Sequence, residues 1–581
     1  MGGKVMKKFF YCLTSLIVLL LFVSSGVVNA QVVFIEGKSL DYPVEGKNGM
    51  VVTGQELATR AGLEVLQKGG NAIDAGVTVG FVMAVTLPRA GNIGGGGFMI
   101  VHSAKTGETV AIDYREKAPA KAYRDMFLDK DGNADAQLSR YTHLSAGVPG
   151  VIAGFAYALE KYGTISLAEA LAPAIKYAEE GFVLNENLVK DFHAAEKNLR
   201  AFPATEKIFF KADGSFYEPG DLFVQPELAK TLKLIAQEGP KAFYEGAIAE
   251  LIVKQMEAHG GLMTKEDLAN YQPAIREPIH GTYRGFDVFS MCPPSSGGVH
   301  IVQILNILEG FDLRYLGHNS AATIHLMAEA MKRAYADRAE YLGDSDFVDV
   351  PLKGLTSKAY AAELRNQINR FKATVSSTLK PGNAPKYESD QTTHYSIVDK
   401  EGNAVSNTYT INFSFGSGIV VEGAGFLLNN EMDDFSAKPG VPNAYGLVGG
   451  DANAVEPNKR MLSSMSPTIV LNNGKVFLVA GSPGGSLIIT TTLQVIMNVI
   501  DFGMNIQEAV NAPRVHHQWL PDEVRLEKGI GLDTIKLLTE MGHTVVVRDA
   551  MGAASSIMVD PKTGMMYGAA DRRREGLALG Y

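Results

Sequence analysis

At 581 residues, with 63 acidic against 54 basic side chains and a net charge of −9, the chain is long enough to bury a large core and too acidic to suit nucleic acid as a partner. Two cysteines exclude a disulfide-rich scaffold. Length alone suggests about three or four domains at ~150 residues each.

The N-terminus places Lys4, Lys7 and Lys8 ahead of an apolar run over 13–23, followed by Ser24-Ser25-Gly26 and Val28-Asn29-Ala30. This is the pattern of a secretory signal peptide over residues 1–30, cleaved after Ala30, and it places the protein outside the cytoplasm, in the periplasm or the medium. The run falls short of the roughly 20 apolar residues a bilayer requires, so no stable membrane span is expected. Removing the leader takes three lysines, leaving 51 basic against 63 acidic residues and moving the charge from −9 to −12. Cys12 leaves with it. Cys292 then stands alone, and no intramolecular disulfide is possible.

Thr53 and Glu56 have the spacing of a capping box and open a helix with Leu57, Ala61 and Val65 on its apolar face, closed by Gly69-Gly70. Asn71 caps a second segment, Ala72–Thr86, whose apolar character all round marks an interior helix. The run Gly91-Asn92-Ile93-Gly94-Gly95-Gly96-Gly97 lacks the Gly-Lys-Ser/Thr ending of a phosphate loop and leads into a strand over 98–102, so close backbone packing is expected rather than a nucleotide site. The next strand ends at Ala111-Ile112-Asp113-Tyr114-Arg115-Glu116.

Residues 138–370 read as helix-rich. The clearest helix starts at Asn319-Ser320 and aligns Ile324, Met327, Met331, Ala334 and Tyr335 as a core stripe. His318 and His325 lie nearby, but no carboxylate or cysteine completes a ligand set at suitable spacing; solvated or capping roles are expected, with no metal and no cofactor. From 371 to 391 the composition shifts to Ser, Thr, Lys, Pro, Gly and Asn, the signature of a linker.

The linker ends at Asp390-Gln391, and Thr392-Thr393-His394-Tyr395-Ser396-Ile397-Val398 follows. With Ala404-Val405-Ser406-Asn407-Thr408-Tyr409-Thr410-Ile411-Asn412-Phe413 beyond an Asp/Gly/Asn turn, it predicts a β-hairpin. A cut between Gln391 and Thr392 creates a nucleophile that carries its own base, because a freed α-amine with pKa near ~8 accepts the hydroxyl proton close to neutral pH. Strand alternation is expected to put Thr408, Thr410 and Asn412 on one face, beside that hydroxyl. Further on, an acidic and amide-rich turn spans 429–436. A long irregular loop over 437–459 has the character of a lid. The strand Val476-Phe477-Leu478-Val479-Ala480 feeds the turn Gly481-Ser482-Pro483-Gly484-Gly485-Ser486 and then the apolar helix Leu487–Ile500, an arrangement that aims free N–H groups at whatever lies in front, or else simply a tight turn. Helices over 506–511 and 533–541 and strands over 544–547 and 556–559 complete the chain. The pair His516-His517 beside Trp519 reads as structural.

From Thr392 to Gly416 the chain closely resembles the signature of the γ-glutamyltranspeptidases, members of the N-terminal-nucleophile hydrolases. The likeness continues through Asn429-Asn430-Glu431-Met432-Asp433-Asp434-Phe435-Ser436, Leu462-Ser463-Ser464-Met465-Ser466-Pro467, Gly481-Ser482-Pro483-Gly484-Gly485 and, upstream, Gly94-Gly95-Gly96-Gly97-Phe98-Met99. The resemblance implies a four-layer αββα sandwich forming one intertwined unit, made as a precursor and cut into a large subunit (31–391) and a small subunit (392–581) that stay together as a heterodimer. It implies Thr392 as nucleophile, with Thr410 beside it and Gly484 and Gly485 as oxyanion hole. Arg115, with Ser463 and Ser464, corresponds to the groups that hold the α-carboxylate of a γ-glutamyl donor such as glutathione. Glu431, Asp434 and Asn412 correspond to those that hold its α-ammonium, and Tyr445 to a lid residue. Amino acids, peptides or water would accept the acyl group. Met461 stands where relatives usually carry proline, which bears on the rigidity of the serine loop. A related cephalosporin acylase or poly-γ-glutamate-processing enzyme is the neighbouring alternative, and an exported solute-binding protein the non-enzymatic one.

Overall fold

The computed structural model describes residues 41–379, 392–438, 440, 441, 443 and 446–581. The expected leader, the junction residue Gln391 and the lid residue Tyr445 lie outside the described residues.

Two seven-stranded sheets form the centre of the molecule. In chain order their strands are β1 (Val44–Gly46), β2 (Gly49–Thr53), β3 (Gly96–His102), β4 (Thr109–Asp113), β5 (Ala274–Arg276), β6 (Ile279–Tyr283), β7 (Phe286–Ser290), β8 (Thr393–Asp399), β9 (Ala404–Thr410), β10 (Thr468–Asn472), β11 (Lys475–Ala480), β12 (Ser555–Val559), β13 (Met566–Ala570) and β14 (Leu577–Gly580). One sheet runs β1-β13-β12-β11-β10-β7-β6, the other β14-β2-β8-β9-β3-β4-β5, with every pairing antiparallel. Val52, Phe98, Ile100, Val398, Ile469, Val479 and Ile557 meet between the sheets. Strands buried on both faces read as near-continuous apolar runs, as β3 and β11 do.

Helices cover both outer faces. Against the β8/β9 sheet pack α1 (Glu56–Gln67) and α2 (Ala72–Thr86). The other sheet is covered by α3 (Gly297–Leu308), with α4 (Ala321–Tyr341) packed outside it, and by α5 (Leu487–Ile500). The result is the expected four-layer αββα sandwich. Helix α2 is buried at every position and capped by Asn71, whose side chain accepts from Ile73 and Asp74 while Asp74 accepts from the Asn71 N–H. The first helix departs from expectation. Thr53 is not its cap: it is the last residue of β2, paired with Tyr395 and Leu577, and the chain leaves the extended conformation only after Gln55, whose side chain accepts from Ala58.

The hairpin forms as predicted, but its second strand ends at Thr410 rather than running on to Phe413. Thr393 pairs with Tyr409 and Val398 with Ala404, while β8 is also paired along β2. The glycine run preceding β3 packs backbone against backbone. A Cβ on Gly95 would lie 2.1 Å from the Thr410 carbonyl oxygen, so only glycine permits the end of β9 to sit where it does. Gly95→Ala is therefore expected to destabilise the fold by roughly 1–3 kcal/mol and to displace Thr410. A lower thermal midpoint together with reduced turnover is the outcome; an unchanged midpoint contradicts the packing argument.

Candidate active site

Thr392 lies immediately before β8 and is 5% exposed. Its φ is 129°, a left-handed value that a β-branched residue adopts only under strain of about 1–3 kcal/mol. A single pocket brings Thr392 together with Thr410, Asn412, Arg115, Glu431, Asp434, Ser463, Ser464 and Gly485; Arg338, Leu462, Met465 and Ile488 complete the lining. Residues more than three hundred positions apart in sequence thus converge on one hydroxyl.

Thr410 closes β9, and its Oγ1 accepts the Asn412 N–H at 2.8 Å. Asn412 itself stands at φ 70° and donates through Nδ2 to the Asn430 carbonyl at 3.0 Å. Thr408 does not join them. Its hydroxyl pairs with His394 Nδ1 at 2.8 Å on the buried face between the sheets. Thr408 shares a face with Thr410 but lies two residues back along β9, opposite His394, while Asn412 lies beyond the strand, which ends at Thr410.

The charged groups meet differently from the division of labour implied by resemblance. Arg115 is wholly buried, and its fork faces both acids: Nη1 donates to Glu431 Oε1, and Nη2 to Asp434 Oδ2 at 2.5 Å. Its Nε donates to the Met461 carbonyl at 3.2 Å. Burial works against the arginine charge, and Glu431, Asp434 and Glu116 outweigh it, so the guanidinium stays charged. The acids bear the cost. Burial, and then mutual repulsion only partly relieved by Arg115, raises the Glu431 carboxyl well above its ordinary range. Glu116, which the sequence left without a role, has both carboxylate oxygens buried with no hydrogen-bond partner among the described residues, 3.7 Å from Arg115.

The serine loop is firmly held despite Met461. That side chain is fully buried among Ala118, Met126, Phe127, Met432 and Phe435, so packing substitutes for the ring of a proline. Ser463 donates its N–H to the Pro294 carbonyl at 2.8 Å, and its own carbonyl accepts from the Ser296 N–H at 2.9 Å and hydroxyl at 2.8 Å. Across the pocket, Gly484 and Gly485 have φ of 132° and 54°, and neither N–H makes a hydrogen bond among the described residues. A Cβ on Gly481, at the start of that turn, would meet the His394 ring at 2.3 Å.

Two features were missed in the sequence. Arg338 lies on α4 within a turn of Ala334 and Tyr335, and a cation beside an apolar stripe was its only signal. The histidine reading also needs correction. His325 is neither solvated nor a cap: it is fully buried, with Nδ1 2.8 Å from His543 Nε2 and Nε2 donating to the Asn369 carbonyl at 2.7 Å. Glu329 and His543 bring ligand atoms within 4.8 Å of it, so a carboxylate does complete the cluster; Glu329 is one helical turn on, and His543 arrives from a part of the chain that spacing did not connect. Glu329 is already taken up by Arg333 and Thr374, which makes the group a hydrogen-bonded brace. His516 and His517 are buried and bonded to Thr490 and Asp522, as structural residues should be.

A strained threonine heading an inner strand of a helix-covered double sheet, with N–H groups unpaired among the described residues and a charged pocket before it, defines an N-terminal-nucleophile hydrolase. The profile of the γ-glutamyltranspeptidase family matches residues 58–581. The glutathione hydrolase proenzyme of Escherichia coli (strain K12) is 57% identical over 541 residues, which span 93% of each chain. Among solved structures, the cephalosporin acylase from Bacillus halodurans superposes with a TM-score of 0.82 at 30% identity, covering 94% of this chain and 99% of that one. A Helicobacter pylori γ-glutamyltranspeptidase superposes with a TM-score of 0.55 at 46% identity, covering 61% of this chain and 97% of that one. The chain belongs to the γ-glutamyltranspeptidase family, and it is an enzyme.

Burial raises the Glu116 carboxyl to about 7, against the pull of Arg115. A carboxyl whose pKa is higher in the folded state stabilises fully below its ordinary range near 4.5, and that contribution is lost as pH rises through about 7. Glu116→Gln keeps the neutral form at every pH. Thermal unfolding from pH 5 to 8 should therefore show the wild type losing stability relative to Glu116→Gln; parallel profiles would remove Glu116 from the charge balance.

Proposed function

We propose that this protein is an exported γ-glutamyltransferase and glutathione hydrolase that cleaves its own chain between Gln391 and Thr392. The observation that carries the reading is the convergence of Thr392 with one guanidinium and two carboxylates in a single buried pocket. A γ-glutamyl group bears an ammonium and a carboxylate on the same carbon. Entering the pocket, it exchanges the Arg115–Glu431 and Arg115–Asp434 pairs for contacts of its own: ammonium to the acids, carboxylate to Arg115 and the serine hydroxyls, with no net change in buried charge. Charge-assisted hydrogen bonds of this kind are worth roughly 1.5–3 kcal/mol each.

In the reaction, the freed amine of Thr392 takes the proton from Oγ1 as that oxygen attacks the γ-carbonyl carbon. The oxyanion forms before the N–H groups of Gly484 and Gly485. Collapse of the intermediate expels the leaving amine, which takes the proton, and leaves a γ-glutamyl ester on Thr392. Water or the amine of an amino acid or peptide then resolves the ester by the reverse steps. The likeness to a cephalosporin acylase supports a second reading, a glutaryl donor. The two buried acids facing the pocket favour a donor that brings an ammonium.

The strain at Thr392 and the coverage of only 61% of this chain by a solved relative matched over 97% of its own length support processing into subunits of 31–391 and 392–581. In the uncut chain the Thr392 nitrogen is an amide and has no lone pair available as a base. Thr392→Ala is expected to fold, remain one chain and be inactive, while Thr392→Ser retains part of both activities. Intact mass and N-terminal sequencing of the smaller fragment decide the matter: a fully active unbroken chain, or a fragment starting elsewhere, overturns the scheme. Separately, Arg115→Lys keeps the charge and loses the planar fork, and should weaken use of the γ-glutamyl donor by about 1.5–3 kcal/mol in kcat/KM with cleavage of the precursor intact.

A further inference from the structure

Arg338 is 5% exposed and makes no salt bridge to any described carboxylate, although Arg115 beside it faces two. Its hydrogen bonds go to serine hydroxyls: Nε donates to Ser296 Oγ at 3.0 Å, and Nη2 donates to Ser464 Oγ at 3.3 Å. Ser296 in turn donates to the Ser463 carbonyl at 2.8 Å. The side chain lines the Thr392 pocket and also a larger adjoining cavity, so its position is at the wall of the site rather than behind it.

A guanidinium has only donors to offer. A serine hydroxyl that accepts from it must point its own proton elsewhere, and for Ser464 the open direction is the pocket. The charge count matters as well. Glu431 and Asp434 stand against Arg115, with Glu116 3.7 Å away, so without a second cation the pocket repels a carboxylate. Burial lowers Arg338 to about 10, which leaves it charged at neutral pH.

We propose that Arg338 is the positioning residue of the donor's α-carboxylate subsite, fixing the Ser464 hydroxyl as a donor toward that carboxylate and adding a second positive charge beside Arg115, whose fork the two acids share. The inference deepens the γ-glutamyl reading and rests on it. It makes Arg338 a determinant of which acyl groups are accepted, and it acts through Ser464 rather than on the reacting atoms.

The test uses the processed wild-type enzyme, Arg338→Gln, Arg338→Lys, Ser464→Ala and the Arg338→Gln/Ser464→Ala double variant, each first checked for an unfolding midpoint near that of the wild type. Three anilide donors are compared: γ-glutamyl, with both charged groups; glutaryl, with the carboxylate alone; and 4-aminobutanoyl, with the ammonium alone. Any donor turned over too slowly is measured as a competitive inhibitor. Arg338→Gln should raise KM for the γ-glutamyl and glutaryl donors by roughly 10- to 100-fold with kcat within a few-fold of wild type, and should leave the 4-aminobutanoyl donor close to its wild-type value. Arg338→Lys should recover part of the loss, and the double variant should cost little more than the worse single one. Equal losses on all three donors, losses in kcat alone, or full additivity overturn the proposal. If Arg338→Gln proves unstable, Arg338→Lys alone must still discriminate between donors with and without the carboxylate, and uniform behaviour overturns the proposal equally. A wild-type enzyme that uses the glutaryl donor and refuses the γ-glutamyl one refutes the γ-glutamyl reading, while Arg338 is still judged on the glutaryl carboxylate.

Discussion

The ladder of β8 is the constraint on which the molecule depends. Thr393 to Val398 is paired on one side with β9 and Tyr395 to Asp399 on the other with β2, and every residue of the strand is buried. A strand hydrogen-bonded on both edges and covered on both faces has no freedom to shift register, because a one-residue slip would turn each side chain to the opposite layer. Thr392 is therefore placed by the whole sandwich rather than by its own contacts. Its neighbours are fixed in the same frame: Thr410 ends the adjacent strand, the glycines before β3 let that strand end approach, and the turn after β11 brings Gly485 across from it.

Against that rigid frame, the electrostatics of the pocket are deliberately unbalanced. Three carboxyl groups and two guanidinium groups are buried within one small region, and one of the carboxyls, Glu116, meets no side-chain hydrogen-bond partner among the described residues. Burying such a set costs more than its internal pairings return when any member lacks a partner. The arrangement is consistent with a site whose polar groups are completed by a zwitterion, since a ligand that brings one charge of each sign lets Arg115, Glu431 and Asp434 each gain a partner. An apolar substrate, or one of a single charge, leaves part of the set uncompensated.

Much of this was legible in the sequence because the relevant signals are local. The hairpin, the interior helix Ala72–Thr86 with its asparagine cap, the glycine turn and the acidic segment each announce themselves by residue types within a few positions. The pairing of Arg115 with Glu431 and Asp434 was not legible: the partners are separated by more than three hundred residues, and periodicity says nothing about which loops meet. Arg338 escaped for another reason. Its helix was read by its apolar stripe, whereas the helix is enclosed by neighbours on nearly all sides, so the polar residues off the stripe are as buried as those on it. Thr53 misled because a threonine three residues before a glutamate fits a cap equally well whether the strand has ended or not.

The interleaving of the sheets bears directly on how a cut at Thr392 can be survived. β1 to β7 precede the junction and β8 to β14 follow it, and each sheet draws strands from both parts. Separating the two portions would mean breaking both sheets and opening the layer between them, so the folded core and not the peptide bond holds the pieces together. The chain approaching the junction is tied down as far as Ser376 from both sides: Lys332 and Glu329 hold Thr374, while Trp519 Nε1 donates to the Ser376 carbonyl at 2.9 Å and Asp522 accepts its N–H at 2.8 Å. In the reading proposed above, a cut ahead of Thr392 would free its backbone from the preceding peptide and, in the same event, turn an amide nitrogen into the base the hydroxyl requires.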